Sequence, residues 1–235
     1  MSKDVYGNAL IDYQNQQTTE ELVTYSSIAG EDIMPLAYLF RSFDQMPQLE
    51  QNALHLCTGK ILDLGAGSGS HSLYLQTKNK DVLALDISEG AIEVCKNRGI
   101  KNTLLKNIWE FQNQKFDTIL ALMNGTGICG KLEKLAPFLV HLKSLLNPKG
   151  QILIDSSDLI YMYEDEQGEH WIPSNLNYYG EVDFKMQYKN EVSDTFPWLY
   201  VDYNTLQRCA IYNGFKCELI LEGAHYDYLA KLTLL

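Results

Sequence analysis

Cationic side chains are scarce in this sequence, and nowhere do they cluster. Nineteen lysines and arginines stand against thirty aspartates and glutamates in 235 residues, a formal net charge of −11. Such a chain is repelled at long range by a polyanion, so DNA is not expected as a partner and RNA is disfavoured. No run of about eighteen apolar residues occurs, so no membrane-spanning helix is expected. The opening Met1-Ser2-Lys3-Asp4-Val5-Tyr6-Gly7-Asn8 lacks the apolar core of a secretory signal. Cysteine is limited to Cys57, Cys95, Cys129, Cys209 and Cys217, odd in number and without a CxxC pair. That argues against a disulfide framework and for reduced thiols in a cytoplasmic protein. Internal repeats and low-complexity linkers are absent as well. Length and composition then suit one α/β domain that buries its core without staples.

What is present is an alternation of short apolar runs and helical segments, the pattern of a doubly wound sheet. Strands are expected at about 60–64, 81–86, 103–105, 116–123 and 151–155. Helices are expected between them, at about 70–77, 88–98 and 132–146. Ser88 reads as a helix cap, Gly99 as a helix stop. Residues 1–55 read as a helical cap. Thr18-Thr19-Glu20-Glu21-Leu22 would open one helix there, with further helices at 34–43 and 47–56. After 155 the alternation breaks. A strand-like stretch at 178–189 pairs with 196–201, forming an insert on the acceptor side over 156–201. A helix at 204–212 and two last strands, 216–221 and 227–234, close a single 1–235 domain whose core is 56–155.

The densest signal is Lys60-Ile61-Leu62-Asp63-Leu64-Gly65-Ala66-Gly67-Ser68-Gly69-Ser70. A buried strand ends in an acid and runs into alternate glycines, then a helix. Backbone that must approach a ligand closely tolerates no Cβ. Strand, glycine turn and helix together mark a nucleotide-type site at the carboxyl end of a strand. Asp86 ends the next strand about 17 residues beyond Gly69, near the interval expected of an acid that binds a ribose diol. The Gly-x-Gly-x-Gly spacing departs from the Gly-x-Gly-x-x-Gly of nicotinamide and flavin sites.

The pattern Asp63-x-Gly65-x-Gly67-x-Gly69 resembles motif I of the class I methyltransferases that use S-adenosylmethionine. The resemblance is good from about 40 to 155 and covers the rest in outline. It implies a seven-stranded, mostly parallel Rossmann-like sheet with helices on both faces. It implies S-adenosylmethionine as donor and S-adenosylhomocysteine as product. It places Gly65, Ala66, Gly67 and Gly69 at the methionine portion, with Asp63 orienting that turn or meeting the cofactor's ammonium through water, and Asp86 at the ribose, with Ile87 also in the cofactor site. Asn107 and Ile108 fall at adenine and Met123 near the transferred methyl. Trp109 is a candidate to pack on adenine, against a plain core tryptophan. Arg41, in the helix before the first strand, is a candidate partner for the cofactor's carboxylate, and Tyr38 would close beside it.

The acceptor side is less legible. The strand ending at Met123-Asn124-Gly125-Thr126 lacks the Pro-Pro-aromatic sequence of amide and exocyclic-amine methylases. Asn124 is a candidate to hold the acceptor, as are Tyr178 and Tyr179 from the tyrosine-rich insert. Inserts at this edge shape specificity, and packing on the sheet is the alternative for most of these aromatics. Asp155 and Asp158 do not by themselves make a metal site, and none is expected. His71, His170 and His225 are conceivable bases, weighed against packing or surface positions. Methyl transfer to a small molecule is the first reading. A protein or RNA methyltransferase and a non-catalytic binding protein are the alternatives. The acceptor atom and the oligomeric state are not legible.

Overall fold

The computed structural model describes residues 3–235; Met1 and Ser2 lie outside it. The chain opens with α1 (Val5–Gln14), the hairpin β1 (Leu22–Ser26) and β2 (Gly30–Met34), and a short α2 (Leu36–Leu39). Next come α3 (Gln48–Leu56), β3 (Lys60–Leu64), α4 (Ser70–Thr77), β4 (Asp81–Asp86), α5 (Glu89–Asn97) and β5 (Thr103–Leu105). Then β6 (Phe116–Ala121), α6 (Leu132–Ser144) and β7 (Leu146–Ser157) complete the alternation. The insert supplies β8 (Glu181–Tyr188), β9 (Glu191–Val192) and β10 (Phe196–Leu199). The chain closes with α7 (Tyr203–Tyr212), β11 (Phe215–Glu222) and β12 (Asp227–Leu234).

Seven strands form one sheet in the order β11-β12-β7-β6-β3-β4-β5. Only β12 runs antiparallel to its neighbours. The seven-stranded, mostly parallel sheet is the one expected. Its inner strands are covered on both faces, which is why they read as continuous apolar runs. Ile61, Leu120 and Leu153 face α3 and α4, where they meet Ala53, Leu54 and Leu75. Leu62, Ile119 and Ile152 face α6 and α7, against Phe138, Leu139 and Leu206. Each such fully buried side chain contributes about 1.5–3 kcal/mol.

The second sheet corrects the reading of the N-terminal segment. No helix opens at Thr18; the chain there is irregular and leads into β1 and β2. Thr18 Oγ1 does accept a backbone N–H, that of Glu20 at 2.9 Å, but as a local turn. The β-branched and aromatic run Val23-Thr24-Tyr25 then favours extended backbone. β1 pairs with β8, so the hairpin and the insert form one antiparallel sheet, β10-β8-β1-β2, with β9 beside β8. Tyr188 of β8 donates to Asp12 of α1 at 3.1 Å, and Trp198 of β10 packs on Gly127 in the turn after β6. The small sheet therefore runs from α1 across to the β6 turn, over the carboxyl edge of the large sheet.

Helix α1 docks on α5 through a glycine contact. A Cβ on Gly90 would stand 2.6 Å from Gly7 Cα. Asp4 fastens the joint: its carboxylate accepts Ser88 Oγ, Gly90 N and Gly7 N at 2.9, 2.9 and 3.0 Å. Gly90→Ala is expected to push α1 off α5 at a cost of about 1–3 kcal/mol. Thermal unfolding checks this. An unchanged melting temperature would rule out the close-packing account.

Candidate active site

The site forms at the carboxyl ends of β3, β4, β6 and β7. After β3 the chain turns through Gly65, Gly67 and Gly69 at φ +73°, +55° and +81°, all left-handed. Gly65 N and Ala66 N both donate to Leu85 O, at 2.9 and 3.1 Å, so the turn is tied to β4. Gly67 N donates to Asp86 Oδ2 at 2.8 Å and Ser88 N to Asp86 Oδ1 at 2.9 Å. Each carboxylate oxygen keeps acceptor capacity for a ligand. Burial pushes the Asp86 carboxyl above the ordinary aspartate value, with the Ser88 and Gly67 N–H groups opposing it. Asp63 is buried beneath the turn and accepts Ser72 Oγ at 2.7 Å, which anchors the start of α4. Ile87 follows Asp86 with its side chain largely exposed, at 72%.

Asn107 sits where expected, after β5. Its Oδ1 accepts Trp109 N at 3.0 Å and caps the turn Ile108–Glu110. Its Nδ2 donates to no described residue. Ile108 is buried. Trp109 packs against Phe138, with ring centroids 5.7 Å apart, so its indole belongs to the α6 contact.

Helix α1 brings a residue that sequence reasoning missed. Tyr6 stands over the glycine turn: a Cβ on Gly67 would lie 2.7 Å from Tyr6 Oη. Burial raises the Tyr6 hydroxyl pKa, and the nearby Asp86 raises it further. Tyr6 therefore stays protonated, a donor at the mouth of the turn.

Arg41 lies beside this cleft but engages a different partner from the one expected. Its Nη2 donates to Glu50 of α3 and its Nη1 to Tyr38 O. The Tyr38 ring covers the guanidinium at 3.8 Å. Glu50 also accepts His71 Nε2 at 2.7 Å, so the three form a buried network. Arg41 Nε is buried and has no partner among the described residues. It is the donor left to meet a carboxylate. His71 is bound up in this network rather than poised as a base. Glu50 carried one signal in the sequence, a charge on the same face of α3 as buried Ala53 and Leu54.

At the end of β6, Met123 and Asn124 both take φ +62°, a strained conformation for non-glycine residues. Asp155 of β7 holds it: its carboxylate accepts Met123 N at 3.0 Å and Gly125 N at 2.9 Å. Burial pushes the Asp155 carboxyl up to about 7. Asn124 is engaged within the fold. Its Nδ2 donates to Leu199 O at 3.2 Å and its Oδ1 accepts Ser156 Oγ at 2.7 Å, so the amide locks β10 to the turn. Tyr178 and Tyr179 are likewise engaged within the fold. Tyr178 Oη donates to Asp202 at 2.7 Å and Tyr179 Oη to Asp158 at 2.8 Å. Burial, reinforced by those carboxylates, pushes both hydroxyls away from ionisation.

Asp158 accepts Ile160 N as well as Tyr179 Oη, and no metal-holding group of His, Cys, Asp and Glu exists among the described residues. His170 and His225 are exposed, outside the cleft. A cavity of about 230 Å³ opens between Tyr38, Leu49, Glu50, Met123, Asp155 and Asp227. Asp227, at the start of β12, is a second lining residue without a sequence signal.

Comparison with known proteins agrees with this geometry. Residues 58–199 match the family model described as "Methyltransferase domain". A crystallised S-adenosylmethionine-dependent methyltransferase from Bacteroides fragilis, in complex with S-adenosyl-L-homocysteine, is 50% identical. The match covers 99% of this chain and 95% of that one at a TM-score of 0.92. DesVI of Streptomyces venezuelae shares the fold at 18% identity, over 85% of this chain and 96% of that chain, TM-score 0.57. CalS10, an amino pentose methyltransferase from Micromonospora echinaspora, does so at 13% identity, 85% and 95% coverage, TM-score 0.55. No curated protein matches the sequence.

The residues present fit the cofactor. Asp86 keeps acceptor capacity for a ribose diol, the glycine turn offers bare backbone, and Arg41 Nε is an unpaired buried donor. The chain belongs to the class I S-adenosylmethionine-dependent methyltransferases.

Proposed function

We propose that this methyltransferase acts on a small-molecule acceptor held in the cavity between Tyr38, Met123 and Asp155. The observation that carries this reading is the size and position of that cavity. At about 230 Å³ it matches a small molecule, and it opens at the carboxyl ends of β6 and β7, where Met123 and Asp155 line it. The small sheet, running from α1 to the β6 turn, supports enclosure rather than a broad groove.

When bound, the sulfonium supplies an electrophilic methyl carbon. The protein's task is alignment and exclusion of water. In this reading Asp86 binds the ribose, and Gly65, Ala66, Gly67 and Gly69 give backbone contact to the methionine portion. Arg41 Nε and Tyr6 Oη donate to its carboxylate. Ile87 covers the adenine, and Asn107 with Ile108 reads its edge. Asp63 acts indirectly, by fixing α4. Met123, held in place by Asp155, borders the transfer line. Domain organisation as one unit over 1–235 and a cytoplasmic location complete the proposal. Among the described residues no helix is long and apolar enough to cross a membrane.

Labelled S-adenosylmethionine tests the acceptor class. Incubation with a whole cell extract, followed by separation at low molecular mass, is expected to leave transferred label in the small-molecule fraction. Label in the protein or RNA fraction would overturn the reading.

A further inference from the structure

The acceptor cavity is acidic, and its acids are unequally answered. Three carboxylates line it, from Glu50, Asp155 and Asp227, and no lysine, arginine or histidine does. Glu50 is neutralised by Arg41 and His71. Asp155 and Asp227 form no ion pair with any described residue. Asp155 is only 8% exposed, and its bonds are to two neutral backbone N–H groups. An ionised carboxylate buried without a cation is costly, and a cationic ligand offsets that cost. One tyrosine, Tyr38, lines the cavity, and its ring also lies against the Arg41 guanidinium at 3.8 Å. A carboxylate or phosphate ester would find three acids and no lysine, arginine or histidine on the lining.

Building on the small-molecule reading, we propose that the acceptor is an amine, bound as an ammonium ion against Asp155 and Asp227, with Asp155 taking its proton. The step balances. An ammonium N–H bond breaks and its proton moves to an Asp155 oxygen. The freed lone pair forms the new N–C bond to the methyl carbon as the C–S pair stays on sulfur. The products are a methylated ammonium and a neutral thioether. Asp155 then loses its proton to water. Burial sets Asp155 near 7, suited to a base at neutral pH. Around it stand Glu50 from α3 and His71 from α4, the first raising its pKa and the second lowering it. Tyr38 precedes α3, Tyr200 follows β10, and Asp227 lies on β12. The Tyr200 hydroxyl is pushed up to about 12 by burial, with Tyr161 and Asp155 adding to the shift.

The test uses matched probes. Primary amines, alcohols and carboxylates on the same set of alkyl and aryl skeletons are titrated into the S-adenosylhomocysteine complex. With S-adenosylmethionine, product formation is followed for the same sets. Amines are expected to bind at least tenfold tighter than their alcohol partners and to be the methylated class. Asp155→Asn and Asp227→Asn are each expected to erase that preference while S-adenosylhomocysteine still binds. A merely structural Asp155 would weaken all three classes alike and leave the ratio standing. Alcohols or carboxylates that bind or react as well as the amines would overturn the inference. So would an amine preference that survives both substitutions, or the failure of every amine. None of these results touches the small-molecule reading, which falls only if label appears in macromolecules.

Discussion

Asp86→Ala is expected to weaken S-adenosylhomocysteine binding by about 100-fold or more. Hydrogen bonds to a charged group are worth about 1.5–3 kcal/mol each, and a ribose diol offers two. Their loss together is about 3 kcal/mol at the low end, which is a little over two decades in affinity. The carboxylate also organises the turn, because it accepts Gly67 N at 2.8 Å and Ser88 N at 2.9 Å. Alanine leaves both N–H groups without that acceptor, so part of the loss is a loosened turn. Asp86→Asn separates the two effects. The asparagine keeps the shape, but its NH₂ must face one of the two N–H donors, so one backbone bond and one diol bond go together. Its affinity is expected between those of the wild type and the alanine variant. Isothermal titration measures all three. An alanine variant within about threefold of wild type would remove Asp86 from the ribose site.

How much of this was readable follows from how local each signal is. The glycine turn, Asp86 and the large sheet are written in short contiguous patterns. A buried parallel strand has to be an apolar run, and close backbone approach has to be glycine. The β1–β2 hairpin left no such mark. All of β2 but Met34 is exposed, so no buried face shows as alternation. Its sheet is completed only by β8, whose Met186 pairs with Thr24. Thr18 with its two following acids is a sound helix opening that the β-branched run after it overrides. The site residues divide in the same way. Tyr6, Glu50 and Asp227 come from three elements outside the motif, and each is a single residue whose meaning depends on where the fold delivers it. Arg41 lies beside the cleft. Its partner Glu50 lies on the next helix, and spacing alone does not distinguish a protein carboxylate from a ligand's. Asn124, Tyr178 and Tyr179 carry suitable chemistry at the right edge, where the chain also needs polar groups to tie an insert down.

The second large effect concerns that buried network. Glu50→Ala is expected to destabilise the protein by about 3–5 kcal/mol, because it strands the Arg41 charge in a buried position. For a domain of this size that corresponds to a fall in melting temperature of about 6–20 °C. Glu50→Gln fills the space and still accepts one bond, so it is expected to recover part of the loss. The pH dependence identifies the cause. Burial works against charge on His71, but the Glu50 bond and the Asp63 and Glu50 charges outweigh it and raise its pKa above 6.5. His71 therefore contributes stability that is complete below pH 6.5 and lost as pH rises through the raised value. Burial likewise works against charge on Glu50, yet His71 and Arg41 together hold its carboxyl below 4.5. Its contribution is complete above pH 4.5 and lost as pH falls through the lowered value. The wild type is thus expected to gain most from the network between those limits, and Glu50→Gln to flatten the alkaline side of that profile. Chemical denaturation of both proteins at pH 5.5 and 8.5 reads this directly. If the stability difference between the two proteins is the same at both pH values, His71 is not charged in the folded state, and the network reduces to the Arg41–Glu50 pair.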